Sequence, residues 1–177
     1  MTTLSLVNIV LGAGIILSQI AILLAVVYFL FFKKSHRFIG ELMGKHGILL
    51  AFIVVLVATL GSLFYSEIAG FKPCDLCWFQ RIFMYPEVIL LGLALVKKES
   101  RIVDYALSLS VVGFLFSLYH NYIYYQGGGF CQIFGSAVSC TNRYVLSFGY
   151  ITLPLMALTG FLLVIVLLMF SKLRNNA

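Results

Sequence analysis

The sequence predicts an all-α integral membrane protein, and three observations carry that prediction. Hydrophobic residues make up 62% of the 177 residues and charged residues only 10%, against about 25% charged in a soluble domain. Mean hydropathy is +1.07. The charges gather in short clusters between five apolar runs, each close to the ~20 residues that a helix needs to cross a bilayer. A net charge of +6 and a pI near 9.2 are compatible with nucleic-acid binding. The placement of the basic residues at the ends of the apolar runs excludes that reading, since it is what the positive-inside rule expects of a membrane protein.

The runs follow in order. The first spans about Leu6 to Phe32 and carries no charge. It has no basic leading segment and no small-residue cleavage site, and it exceeds the length of a signal-peptide core, so it reads as a retained helix. Lys33, Lys34, Ser35, His36 and Arg37 follow, then Glu41 and Lys45. The second run covers about His46 to Tyr65, the third Cys74 to Val96, the fourth Ile102 to Tyr122 and the fifth Gly149 to Phe170. The chain thus divides into residues 1–45, an N-terminal helix with a basic loop, and residues 46–177, which hold four more helices and a polar segment at 123–148.

Lys and Arg set the orientation. Lys33, Lys34, Arg37, Lys45, Lys97, Lys98, Arg101, Lys172 and Arg174 fall on one side, nine of the twelve. Lys72, Arg81 and Arg143 fall on the other. The expectation is an external N-terminus, a cytoplasmic C-terminus and four cysteines at the outer face, where disulfides persist. Trp78 with Tyr119, Tyr122, Tyr124 and Tyr125 reads as an interfacial aromatic belt.

The chemistry centres on Pro73-Cys74-Asp75-Leu76-Cys77-Trp78-Phe79-Gln80-Arg81. If Pro73 opens a helix, Cys74 and Cys77 lie one turn apart and Cys77 and Arg81 are i,i+4 neighbours, so sulfurs and guanidinium share a face. A helix N-terminus and a nearby cation stabilise a thiolate, which makes this a reactive dithiol. Metal is the competing use of Cys-x-x-Cys; a zinc site wants four Cys or His ligands, and enlisting His120 with the second pair matches neither finger nor ribbon spacing. Cys131 and Cys140, the second pair, follow Gly127, Gly128 and Gly129, a flexible joint. A bond between them closes a ring of about ten residues, worth roughly 2–3 kcal/mol by loop entropy, a weak reason for a structural staple.

Other residues have plainer readings. Arg81 can snorkel, but a charge inside a spanning helix is a functional candidate by default. His120 is an interfacial histidine or a hydrogen-bond donor to a reduced acceptor. Glu67 is an end charge. Glu87 lies roughly 20 Å along the helix from Cys74 at 1.5 Å per residue, where a carboxylate must be protonated, paired or in a polar cavity; the sequence assigns it no role. Pro86 and Pro154 are expected kinks.

The run Pro73 to Pro86 closely resembles the first active-site segment of DsbB-type disulfide bond formation proteins, especially the short Gram-positive form often called BdbC. Ser66-Glu67, Leu118-Tyr119-His120 and Ile151-Thr152-Leu153-Pro154-Leu155-Met156 resemble that group too, and the likeness covers about Leu60 to Phe161. The resemblance implies a four-helix bundle, preceded here by one additional N-terminal transmembrane helix. It also implies disulfides Cys74–Cys77 and Cys131–Cys140, all four cysteines being catalytic. Cys131 takes the attack of an extracytoplasmic DsbA-like, thioredoxin-fold thiol oxidase, and Cys140 is its mate. Cys77 hands electrons to a membrane quinone, ubiquinone or menaquinone, held by Arg81, with His120 matching a position near it; no metal is expected. The chain departs from the family in its first helix and in the short segment between Cys131 and Cys140. Vitamin K epoxide reductases, also quinone-linked, place the quinone-proximal pair late in the chain, the reverse of the order here. A soft-metal membrane protein is expected to carry polar residues in several helices, and these runs are almost uncharged.

Overall fold

The computed structural model describes residues 3–31, 37–97, 99, 101–127, 131 and 138–175. The expected basic cluster Lys33 to His36, Lys98, two glycines of the hinge (Gly128 and Gly129) and most of the segment between Cys131 and Cys140 lie outside them. Among the described residues there are five long helices: α1 Thr3–Phe31, α2 Arg37–Leu63, α3 Asp75–Lys97, α4 Arg101–Gln126 and α5 Leu153–Asn175. Each contains a stretch long and apolar enough to span a bilayer. This is a multi-pass, all-α membrane protein.

Helices α2, α3, α4 and α5 pack as a closed ring, α2 on α3, α3 on α4, α4 on α5 and α5 back on α2. The core they enclose includes Ala51 and Val55 of α2, Leu91 of α3, Ala106 of α4 and Phe161, Val164 and Leu168 of α5, all essentially inaccessible. Between α4 and α5 the approach is close enough to need a glycine: a Cβ on Gly113 would run into the Phe161 ring. Small residues let helices approach where lipid supplies no hydrophobic drive for association. At one end, Lys172 pairs with Asp104 at 2.7 Å, tying the end of α5 to the start of α4.

Helix α1 packs outside this ring, on α5. Most of its surface stays open, with Leu17, Leu23 and Leu24 each more than 60% exposed, as suits a lipid-facing helix. Its polar residues reach one end of the bundle. Asn8 Oδ1 accepts a 2.7 Å hydrogen bond from the Tyr65 hydroxyl, and Gln19 accepts one from Tyr150 at 2.9 Å.

Several boundaries differ from the sequence expectation for local reasons. Helix α2 ends in a π-helical turn, Phe64–Ile68, a wider coil of the kind found at functional sites. Helix α4 continues through Gln126, so Ile123 and Tyr124 are helical rather than loop. It stops at Gly127, whose φ of +69 and N–H bond to the Ile123 carbonyl make it the terminating glycine. Pro154 does not kink a helix. It sits in the first turn of α5, where its missing N–H is no loss, and Thr152 caps that turn. Helix α3 runs unbroken through Pro86. Tyr124 does not join the aromatic belt. It is 6% exposed, on the helical face shared with Ser117, His120 and Asn121, and Arg143 lies 5.9 Å from its ring. Trp78, Tyr119, Tyr122 and Tyr125 are exposed as expected.

Candidate active site

The site forms where α3 begins. Gly70, with φ of +71, turns the chain out of the π-helical turn. Pro73 stays just outside the helix rather than opening it. Cys74 is the flanking residue, and its carbonyl accepts the Trp78 N–H at 3.1 Å. Asp75 in the first turn complements the positive end of the helix dipole. One turn later Cys77 places its Sγ 2.9 Å from that of Cys74. The two sulfurs are thiols in this structure.

His120 reaches the pair from α4. Its Nε2 is 3.8 Å from Cys74 Sγ, and its Nδ1 is 3.2 Å from the Gln80 amide nitrogen. All three side chains, Cys74, Gln80 and His120, are buried. The Cys74 thiol is pulled down to about 5. The hydrogen bond from the Cys77 thiol is the largest cause; burial opposes it, and the hydrogen bond and charge of His120 add to it. Cys74 is therefore a thiolate at neutral pH when the pair is reduced.

Arg81 is anchored across the bundle. Its Nε donates to Ser62 Oγ at 3.0 Å and an Nη to the Ser62 carbonyl at 3.1 Å, while the guanidinium lies 5.2 Å from the Trp78 ring centre. These partners on α2 and α3 hold the charge at a defined place, which simple snorkelling does not require.

The second pair packs on the first. Cys131 and Cys140 are joined by a disulfide. Cys74, Leu76, Ile123 and Cys140 form one buried apolar cluster, with Cys77, Phe116, Cys131 and Val138 against it. Of the loop pair, Cys140 is buried and Cys131 partly open. A cavity of about 80 Å³ adjoins the cluster. Cys74, Cys77, Arg81, His120 and Cys140 line it, together with apolar walls that include Phe71 and Leu153. Five of the six candidate residues thus face one cavity; Cys131 reaches it only through its bond to Cys140.

Sequence reasoning missed three contributors. Gln80 was legible, since it stands i+3 from Cys77 on the same helical face. Ser62, which holds Arg81, gave no signal. Nor did the stack of Tyr65 on Phe71 and of Phe71 on Tyr144, with ring centroids 5.9 and 4.9 Å apart, which walls one side of the cavity. Glu87 is fully buried beside α4; it accepts a 2.9 Å hydrogen bond from Ser110, and its second oxygen has no partner among the described residues.

Comparison with known proteins gives the family. The family model "Disulfide bond formation protein DsbB" matches residues 44–171. The chain belongs to the DsbB family. It is 47% identical over 115 residues to "Probable disulfide formation protein C 1" of Bacillus cereus, covering 62% of this chain and 80% of that one. It is 41% identical over 124 residues to "Disulfide bond formation protein C" of Bacillus subtilis, covering 69% and 89%. No solved structure gives a significant match. Helix α1 lies wholly before the DsbB match, and this member of the family is a membrane disulfide oxidoreductase.

Proposed function

We propose that this protein is a protein-dithiol:quinone oxidoreductase. It reoxidises a DsbA-like thioredoxin-fold thiol oxidase outside the membrane and delivers the electrons to the membrane quinone pool. The observation that carries the reading is the packing of Cys140 and Cys74 into one cluster beside a cavity that Arg81 also lines.

The order of exposure sets the order of exchange. Cys131, the more open of the loop pair, receives the partner's thiolate, and a mixed disulfide forms as the Cys131–Cys140 bond breaks. The partner's second thiol displaces Cys131 and leaves with its disulfide, so the loop pair is now a dithiol. Cys140, buried against Cys74, attacks the Cys74–Cys77 disulfide at Cys74, and Cys77 leaves as thiolate. Cys131 then displaces Cys74, restoring the loop disulfide and leaving Cys74 and Cys77 reduced. The leaving group in that last step is the Cys74 thiolate, and a low thiol pKa makes a fast leaving group.

A quinone substrate accepts the two electrons of the reduced Cys74–Cys77 pair as that pair closes again, with one proton from the Cys77 thiol and the other from His120. The residues present fit such a substrate: apolar walls for a ring, and a fixed guanidinium at Arg81 for a carbonyl oxygen. His120, held by Gln80, stabilises the Cys74 thiolate through Nε2 and is placed to carry its proton. By the Lys and Arg bias, the N-terminus and both cysteine pairs lie on the extracytoplasmic side and the C-terminus in the cytoplasm.

The test is turnover of purified protein with a reduced thioredoxin-fold partner and a short-chain quinone. The expected result is stoichiometric quinol formation that Cys77→Ser abolishes. Quinol formation that survives Cys77→Ser ends the proposal.

A further inference from the structure

The reduced inner pair is also a metal-ligand set. Cys74, Cys77 and His120 each turn one ligand atom toward the others, and all three atoms lie within 4.8 Å of one another. A tetrahedral zinc ion with bonds of about 2.3 Å to sulfur and 2.0–2.1 Å to nitrogen needs sulfurs about 3.8 Å apart and sulfur to nitrogen about 3.6 Å. The structure has 2.9 Å between the sulfurs and 3.8 Å from Cys74 Sγ to His120 Nε2. Opening the sulfurs by less than an ångström and drawing Cys77 Sγ and the His120 nitrogen, now within 4.8 Å, to about 3.6 Å completes three corners, and the adjoining cavity leaves room for a water at the fourth. Gln80 supplies the support that a ligating histidine requires: with its amide turned, the carbonyl oxygen accepts the Nδ1 hydrogen and leaves the Nε2 lone pair facing the sulfurs.

We propose that Cys74, Cys77 and His120 form a redox-gated inhibitory site for a zinc-class divalent cation, open only when the inner pair is reduced. Binding exchanges the proton of the Cys77 thiol for one metal ion, the Cys74 sulfur being a thiolate already, with no electron transfer. The disulfide has no thiolates to offer, so the oxidised protein is closed to metal. Loaded with zinc, the pair cannot close onto its acceptor, and the protein is held reduced. The ion is an inhibitor here and no cofactor. The inhibitory consequence rests on the oxidase reading; the site itself does not.

The test uses full-length protein with Cys131→Ser and Cys140→Ser, which removes competing thiols. Anaerobic titration with Cd²⁺ alone is followed by ultraviolet thiolate-to-metal charge transfer. One equivalent is expected to bind the reduced form and none the oxidised form. His120→Ala is expected to weaken binding at least tenfold and Gln80→Ala about tenfold, as lost ligand support does. The comparison of redox states needs no substitution at the site, so a misfolded His120 variant does not decide the outcome. A reduced protein that takes up no Cd²⁺, or one whose affinity ignores His120→Ala while its helicity is intact, overturns the site. Metal-free quinone turnover of the unsubstituted protein is measured alongside. Cd²⁺ binding without that turnover sinks the oxidase and spares the site; turnover without Cd²⁺ binding does the reverse.

Discussion

The two cysteine pairs are built differently. Cys74 and Cys77 stand at the start of a 23-residue helix, with His120 against Cys74 and Arg81 lining the same cavity. Cys131 and Cys140 stand nine residues apart in the connection between α4 and α5, and their nearest hydrogen bonds are to each other, Cys140 N–H to Cys131 Sγ at 3.0 Å. The first pair has its reactivity set by surroundings drawn from three helices. The second, among the described residues, packs Cys140 against Cys74, Leu76 and Ile123 and leaves Cys131 partly open. An exchange protein needs that asymmetry. On the proposed function, the loop pair gains from the partly open Cys131, which meets the partner protein, and the helical pair gains from a fixed charge near its small acceptor.

The largest expected effect separates the pairs outright. Cys77→Ser is expected to leave partner exchange at Cys131 intact while quinol formation drops below detection. Cys140→Ser is expected to accumulate a mixed disulfide between Cys131 and the partner, visible on a non-reducing gel and identified by mass spectrometry. Accumulation of a partner adduct on Cys74 instead would invert the assigned order.

The next effect reads the electrostatics of the helical pair. In reduced protein, alkylation of Cys74 is expected to rise with a midpoint near pH 5, against about 8.5 for an ordinary thiol. His120→Ala is expected to move that midpoint upward, because it removes a hydrogen bond and a charge that favour the thiolate. The linked stability has a definite sign. The folded value lies below the unfolded one, so the unfolded state binds more protons between the two. The contribution is fully present above about 8.5 and is lost as pH falls through about 5. Reduced protein that becomes harder to unfold on going from pH 8 to pH 5 contradicts this.

Smaller effects test the framework against the loop. Gly113→Val drives a side chain into the Phe161 ring, and overpacking of this kind costs about 1–3 kcal/mol; the melting temperature in detergent is expected to fall. Ser139→Ala, beside Cys140, is expected to stay within about 0.5 kcal/mol of the parent. Another small effect concerns α1. Asn8→Ala removes the acceptor for Tyr65 at the cavity edge, a loss of about 1 kcal/mol, with a measurable change in turnover only if the Tyr65–Phe71–Tyr144 stack shifts.

Much of this molecule was legible as sequence because the physics was local. Bilayer thickness sets the length of an apolar run, so the helices could be counted. Helical periodicity put Cys74, Cys77 and Arg81 on one side of α3. Proline rules were read less well: Pro154 looked like a kink, and only the position of Thr152 as a cap shows it to be an N-terminal proline. Tyr124 looked interfacial with its neighbours, but its helical face turns inward. Glu87 was expected to be protonated, paired or in a polar cavity but had no assigned role, since its partner Ser110 comes from the next helix.

The sequence by itself determined the membrane class, the five helices and the close placement of the two Cys-x-x-Cys sulfurs, since each depends on composition or on residues within a turn or two of each other. Tertiary structure decided what surrounds the sulfurs. His120 is 46 residues from Cys74, Ser62 is 19 from Arg81, and Asn8 is 57 from Tyr65. No periodicity within one helix encodes such distances. They follow from the order in which the helices pack, and that order turned a dithiol beside an arginine into a buried thiolate held between a histidine and a second disulfide.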